Sequence, residues 1–159
     1  MDSDREFYAQ EGAFLAGTRT PEASTPGIRA LRYGRLDGGI SESVDLARRV
    51  LAAARSGSAL PSRFVEACAT EETDEEAAAR LRMFRALSPA AQQQYLRDER
   101  WSVDDWLWWT QRENRVWYWV GAQMVSGAEC MVFLRCPDMN ASLGAFDWLM
   151  RATGLRGVE

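Results

Sequence analysis

Six of the seven tryptophans of this 159-residue chain lie between Trp101 and Trp119, and two aspartates, Asp104 and Asp105, stand among them. Indole faces stack on sugars, cations and other rings, and carboxylates accept hydroxyl or cationic donors, so this stretch carries the chemistry of binding. A second acidic group precedes it: EETDEE, residues 71–76, places five carboxylates in six positions.

Catalysis is more narrowly bounded. The chain has no histidine, and all nineteen basic residues are arginine. Ser-His-Asp and Cys-His nucleophiles and histidine-built zinc sites are therefore excluded. So are a Schiff-base lysine and the lysine of a phosphate-binding loop. An enzyme built on this chain would work with carboxylates, tyrosines, cysteines or arginines. Asp104 and Asp105 are neighbours in sequence and point about 100° apart on a helix, which does not make an acid/base dyad. No spacing matches an oxygen-ligand metal loop, so neither a metal nor a cofactor is expected. Cys68 reads as a core residue, and no activating base accompanies any of the three thiols. Cys130 and Cys136 lie on one strand, roughly 20 Å apart at ~3.3 Å per residue, too far to bridge. An odd number of cysteines suits a reducing compartment.

The formal charge of -4 disfavours direct binding of nucleic acid and favours a basic partner. The start MDSDREFYAQ carries acids where an export signal carries positive charge. The longest nearly uncharged run, VWYWVGAQMVSGA, falls short of the ~20 apolar residues of a membrane span. These features predict a soluble, cytoplasmic protein with no membrane attachment.

The elements that position these residues follow from periodicity and caps. Residues 1–40 are rich in turn formers and read as an irregular arm or a segment that wraps the domain by burying Phe7, Tyr8, Phe14 and Leu15. Residues 41–159 read as a single globular domain. In SESVDLARRVLAAARSG, Val44, Ala47, Leu51 and Ala54 recur at helical spacing between a Ser41 cap and Gly57. Pro61 opens a short second helix. TDEE, residues 73–76, is a capping box for a third, with Ala77, Leu81, Phe84 and Leu87 as its buried stripe. Ser88 and Pro89 start a fourth that turns Tyr95 and Leu96 inward, and SVDD, residues 102–105, starts a fifth.

After Asn114 the period falls from 3.6 to 2, predicting a hairpin over about 115–136 that turns at Ser126 and Gly127. Pairing Val125 with Ala128 sets Trp119 opposite Leu134 and Trp117 opposite Cys136 on one face. On the other face Tyr118 opposes Arg135 and Val120 opposes Phe133. A terminal helix follows, capped by Asn140 or Ser142 and ended by Gly154, with Phe146, Leu149 and Met150 inward. The fold class is α+β: four to six helices packed with a small antiparallel sheet.

Helical geometry sorts the tryptophans. Trp106 and Trp109, three apart, share a stripe with Val103 and Thr110 and are expected inward. Trp108 falls beside Asp104, Asp105 and Arg112 and is expected at the surface, within stacking reach of Arg112. Trp117 and Trp119 share a ribbon face that either packs on the helices or forms an open stacking platform. Glu72 and Glu75 of the acidic run either make a solvated first turn or steer a basic partner. The reading is a non-enzymatic domain that engages another, basic protein through Trp108, Asp104, Asp105, Arg112, Trp117, Trp119, Glu72 and Glu75. An immunity or antitoxin-like inhibitor of a basic bacterial toxin is its concrete form. The alternative is a small-molecule or carbohydrate-binding domain that stacks its ligand on Trp108, Trp117 and Trp119.

Overall fold

The computed structural model describes residues 2–17 and 27–158. In chain order these form α1 (Asp2–Leu15), β1 (Ile28–Gly34), α2 (Ile40–Ser56), α3 (Ser62–Ala67), α4 (Asp74–Ala86), α5 (Pro89–Asp98) and α6 (Val103–Thr110). There follow β2 (Tyr118–Met124), β3 (Glu129–Arg135), α7 (Gly144–Ala152) and the two-residue β4 (Arg156–Gly157). The architecture is α+β, with one antiparallel sheet in the order β2-β3-β1-β4. No helix among the described residues is long and apolar enough to cross a membrane.

The helix starts follow the caps. Thr73 accepts the Glu76 N–H while Glu76 accepts the Thr73 N–H, a complete capping box. Ser88 and Ser102 accept the Ala91 and Asp105 N–H groups, and Gly57 closes α2 in the left-handed region with φ 68°. Two starts differ from expectation. Helix α2 begins at Ile40 behind Gly39, whose φ of 72° only glycine adopts freely. Helix α7 begins after Leu143, which offers no side-chain cap; of the two expected caps, the Ser142 hydroxyl accepts the Gly144 N–H at 3.5 Å, and the helix's apolar face adds its hold.

That face meets α2, α6 and one side of the sheet in a single core. Phe146 is its centre: the rings of Trp117, Tyr33 and Trp119 surround it at 5.1, 6.0 and 6.4 Å. Trp106 packs on Phe64 at 4.7 Å and donates its indole N–H to the Ala145 carbonyl at 3.0 Å. Leu134, Val132 and Cys130 complete the sheet's inner side.

The hairpin turns one residue wider than expected. Val125 N–H bonds the Glu129 carbonyl, leaving Ser126, Gly127 and Ala128 in the loop, where the Ser126 hydroxyl accepts the Ala128 N–H. Near the turn the pairing is therefore shifted, with Gly121 opposite Phe133 in place of Val120. A bulge between Trp119 and Gly121 takes up the extra residue, and Trp119 opposes Leu134 and Tyr118 opposes Arg135, as the alternation predicts.

The first forty residues are not irregular where described: they supply α1 and the interior strand β1. Turn-forming residues 18–26, which suggested an arm, lie outside the described part. Helix α1 lies across β2 and α2, with Phe7 against Tyr118 at 6.1 Å and the Arg135 guanidinium over Phe7 at 4.5 Å. A buried ion pair fixes it. Glu11, 1% exposed, receives Arg115 and, at 2.7 Å, the Trp119 backbone N–H, while Arg115 Nε donates to the Trp117 carbonyl at 2.9 Å. Arg55 of α2 stands 3.7 Å from the second carboxylate oxygen. Burial pushes the Glu11 carboxyl above its ordinary range, and Arg115, the Trp119 N–H and Arg55 pull it back.

This pair dictates a prediction. Arg115→Met leaves a buried carboxylate without its main partner and is expected to lose roughly 3–5 kcal/mol at neutral pH; Glu11→Leu/Arg115→Met removes that charge, leaves the Trp119 N–H and Trp117 carbonyl unpaired, and is expected to lose less, without the pH dependence. The Glu11 pKa in the folded variant stands further above its unfolded value. The variant's deficit is therefore smallest below the unfolded pKa and grows as pH rises through the folded one. Urea unfolding of the parent and both variants at several pH values measures this; a deficit that ignores pH would contradict it.

Candidate functional site

Helices α4 and α5 form a hairpin unlike the rest of the fold, for neither has a buried residue. Phe84 and Tyr95 pack on each other at 5.5 Å, but Leu81 and Leu96, expected inward, are exposed. Their stripes meet mainly each other and the cleft beside them, and two narrow helices cannot cover each other's shoulders. Between this hairpin, the segment 69–72 and the first turn of α6 lies a cleft of about 930 Å³.

Six carboxylates line the cleft, Glu71, Glu72, Asp98, Glu99, Asp104 and Asp105, against two guanidiniums, Arg80 and Arg100. Both cations are engaged by the protein. Arg80 bridges Glu72 at 2.9 Å and Glu99 at 3.1 Å, tying the start of α4 to the end of α5. Arg100 donates to the carbonyls of Ala67 and Cys68 at 2.7 and 2.8 Å, closing the end of α3. Asp98 accepts the Gln94 amide. Glu71, Asp104 and Asp105 have no side-chain partner among the described residues, so the cleft presents net negative charge to whatever enters it.

Helix α6 carries the aromatic half of the site. Its core-facing arc runs through Val103, Trp106, Leu107 and Thr110, which puts Trp108 and Trp109 outside. Trp108 is 51% exposed, as its charged neighbours predict. Trp109 is 46% exposed and so is not the inward residue its spacing from Trp106 suggested. It lies about 60° from Trp106 on the side away from Val103 and Leu107. The two rings meet edge to face at 4.8 Å and 85°. Arg112 is exposed and makes no stacking contact with Trp108; Asn114 instead donates to the Trp108 carbonyl at 2.9 Å.

The remaining expected site residues divide. Glu72 lines the cleft beside Asp104 and Asp105, whereas Glu75 is exposed on the first turn of α4 and does not. Trp117 and Trp119, each 1% exposed, belong to the core around Phe146 and offer no platform to a partner or a sugar. Their ribbon face is the sheet's inner side. Asp98, Glu99, Arg80 and Arg100 escaped the sequence reading because their grouping depends on the hairpin's closure. The one local sign was Arg80, seven residues past the capping threonine, where it can reach back to the acidic run.

Burial raises all three thiols, Cys130 to about 11, which keeps them protonated and unreactive. Tyr33 donates to Asp147 at 2.8 Å behind the sheet, and burial raises both pKa values. Among the described residues no three Cys, Asp or Glu side chains are grouped to hold a metal ion. Comparison with protein-family models, curated proteins and solved structures finds no match for this chain. Its own geometry is therefore the basis for a functional reading.

The two classes of tryptophan are separable by mutation. Trp108→Ala and Trp109→Ala are expected to shift folding stability by no more than ~0.5 kcal/mol. Trp106→Ala and Trp119→Ala, which open cavities beside Phe64 and Phe146, should each lose about 3–5 kcal/mol in the same denaturant titration.

Proposed function

We propose that this chain is a non-enzymatic protein-binding domain that receives a basic partner protein in the cleft between the α4–α5 hairpin and α6. An inhibitor that neutralises a basic toxin, in the manner of an immunity protein or antitoxin, is the concrete form of this role. The observation that carries the reading is the charge state of the cleft: both guanidiniums are bonded to the protein itself, and Glu71, Asp104 and Asp105 have no side-chain partner among the described residues. Complementary charge speeds encounter and selects partners of opposite sign. The exposed Trp108 and Trp109 beside it supply the large, rigid contact area that interfaces concentrate in a few residues. The carbohydrate alternative loses two of its three stacking residues to the core.

The test begins with capture from lysate of the source organism, followed by titration of the purified partner. The expected result is a stoichiometric, basic partner whose association rate falls about tenfold or more from ~0.1 M to ~1 M salt. Glu71→Gln/Asp104→Asn should slow association likewise, and Asp45→Asn, on exposed α2 surface, should not. A partner indifferent to salt and to the cleft variant, or a neutral small ligand that competes for the cleft, would overturn the reading.

A further inference from the structure

We infer that the Trp108–Trp109 corner of α6, with Asp104 and Asp105, is a receptor for an arginine side chain of the partner. This rests on the reading of the cleft as the seat of a basic protein and names the group that anchors it.

Helical spacing sets each aspartate one turn before a tryptophan, Asp104 before Trp108 and Asp105 before Trp109, so each indole has a carboxylate on its own side of the helix. The rings stand at 85° to each other, each about half exposed, and so make two perpendicular walls. A hollow of about 190 Å³ against Trp109 is lined by Glu99, Arg100, Trp101 and Asp105. Three of these residues, Glu99, Arg100 and Asp105, also line the cleft, so the two spaces adjoin. Glu99 is taken by Arg80, and Arg100 is turned to the α3 carbonyls, so Asp105 is the charge of the hollow that has no partner among the described residues.

The frame around the corner is fixed. Ser102 caps the start of α6, Trp106 is bonded to the Ala145 carbonyl on the opposite side, and Asn114 holds the Trp108 carbonyl.

Arginine fits this corner better than lysine. A planar guanidinium lies flat on an indole and donates from its edge to a carboxylate at once, which an ammonium cannot do. The chain itself contains that arrangement: Arg115 lies 4.3 Å over the Trp117 ring while it donates to Glu11. Trp109 and Asp105 present the same two groups at the surface.

The test uses the full chain and three peptides, acetyl-Gly-Arg-Gly-amide and its lysine and citrulline counterparts, followed by the indole N–H resonances. The arginine peptide should shift Trp108 and Trp109 saturably and leave Trp106, Trp117 and Trp119 in place. The lysine peptide should bind about two- to fivefold more weakly and the neutral citrulline peptide not at all. Trp109→Leu should abolish the shift at Trp108, with the buried indoles of Trp106, Trp117 and Trp119 reporting an intact fold, and Asp105→Asn should weaken binding about two- to fivefold. Equal response to citrulline, equal affinity for lysine, or no saturable shift overturns the inference. If the peptides fail while Glu71→Gln/Asp104→Asn still slows association with the partner protein, the arginine receptor falls and the basic partner stands.

Discussion

The buried pair of Glu11 and Arg115 is the constraint on which the arrangement of this chain depends. Strand β2 lies at the edge of the sheet, so its outward backbone groups would face solvent or another chain. Glu11 accepts one of them, the Trp119 N–H, and Arg115 satisfies the neighbouring Trp117 carbonyl. Two side chains thus do at the edge what a further strand would do, and they attach α1 there. Beside those two bonded groups, Trp117 and Trp119 pack inward around Phe146. The aromatic wealth of the middle of the chain is thereby split between a core and a surface.

That split has a counterpart in the helices. One part of the molecule, built from α2, α7, the sheet and the inner side of α6, is held by apolar burial. The other, the α4–α5 hairpin, is held by polar contacts and one ring pair: its caps, the Arg80 bridge, Gln92 on the Phe84 carbonyl, and Arg151 of α7 on the Glu99 carbonyl. The cleft lies at the boundary between them. Helix α6 joins both parts, since it is anchored by Trp106 on one side and carries Trp108, Trp109, Asp104 and Asp105 on the other. A rigid mount behind Trp108 and Trp109 and a wall without a buried residue in front of them would suit the binding role proposed above, which needs a surface that is ordered yet yielding.

Much of this was legible in the residues, and the limits are physical. Caps are local chemistry, so Thr73, Ser88, Ser102 and Gly57 reported their helix ends directly. The exposure of Trp108 followed from its charged neighbours on one helix, which also needs no knowledge of the fold. Trp109 was misplaced because spacing from Trp106 defines a stripe but not which side of it the core extends to. Trp117 and Trp119 could be assigned to one ribbon face, but what covers that face is a long-range fact. The pairing of Glu11 with Arg115 joins residues far apart in sequence and has no local signature, so the segment of α1 and β1 read as an irregular arm or a wrap, without its helix and strand. The cleft was half visible, in Glu72, Asp104 and Asp105, and half dependent on how α4 folds back through α5.

The bulge at Val120 separates two parts of the hairpin that would otherwise move together. In a regular ribbon a residue gained at the turn slides every pair along the strand and turns each side chain over. Here the extra loop residue displaces the pairing only from Met124 back to Gly121, and the strand recovers its alignment before Trp119. The tip is thus mechanically insulated from the ion pair at the strand's far end. The exposed tip around Ser126 and Gly127 therefore keeps a pairing of its own, one residue out of step with the end of the strand that Glu11 and Arg115 hold.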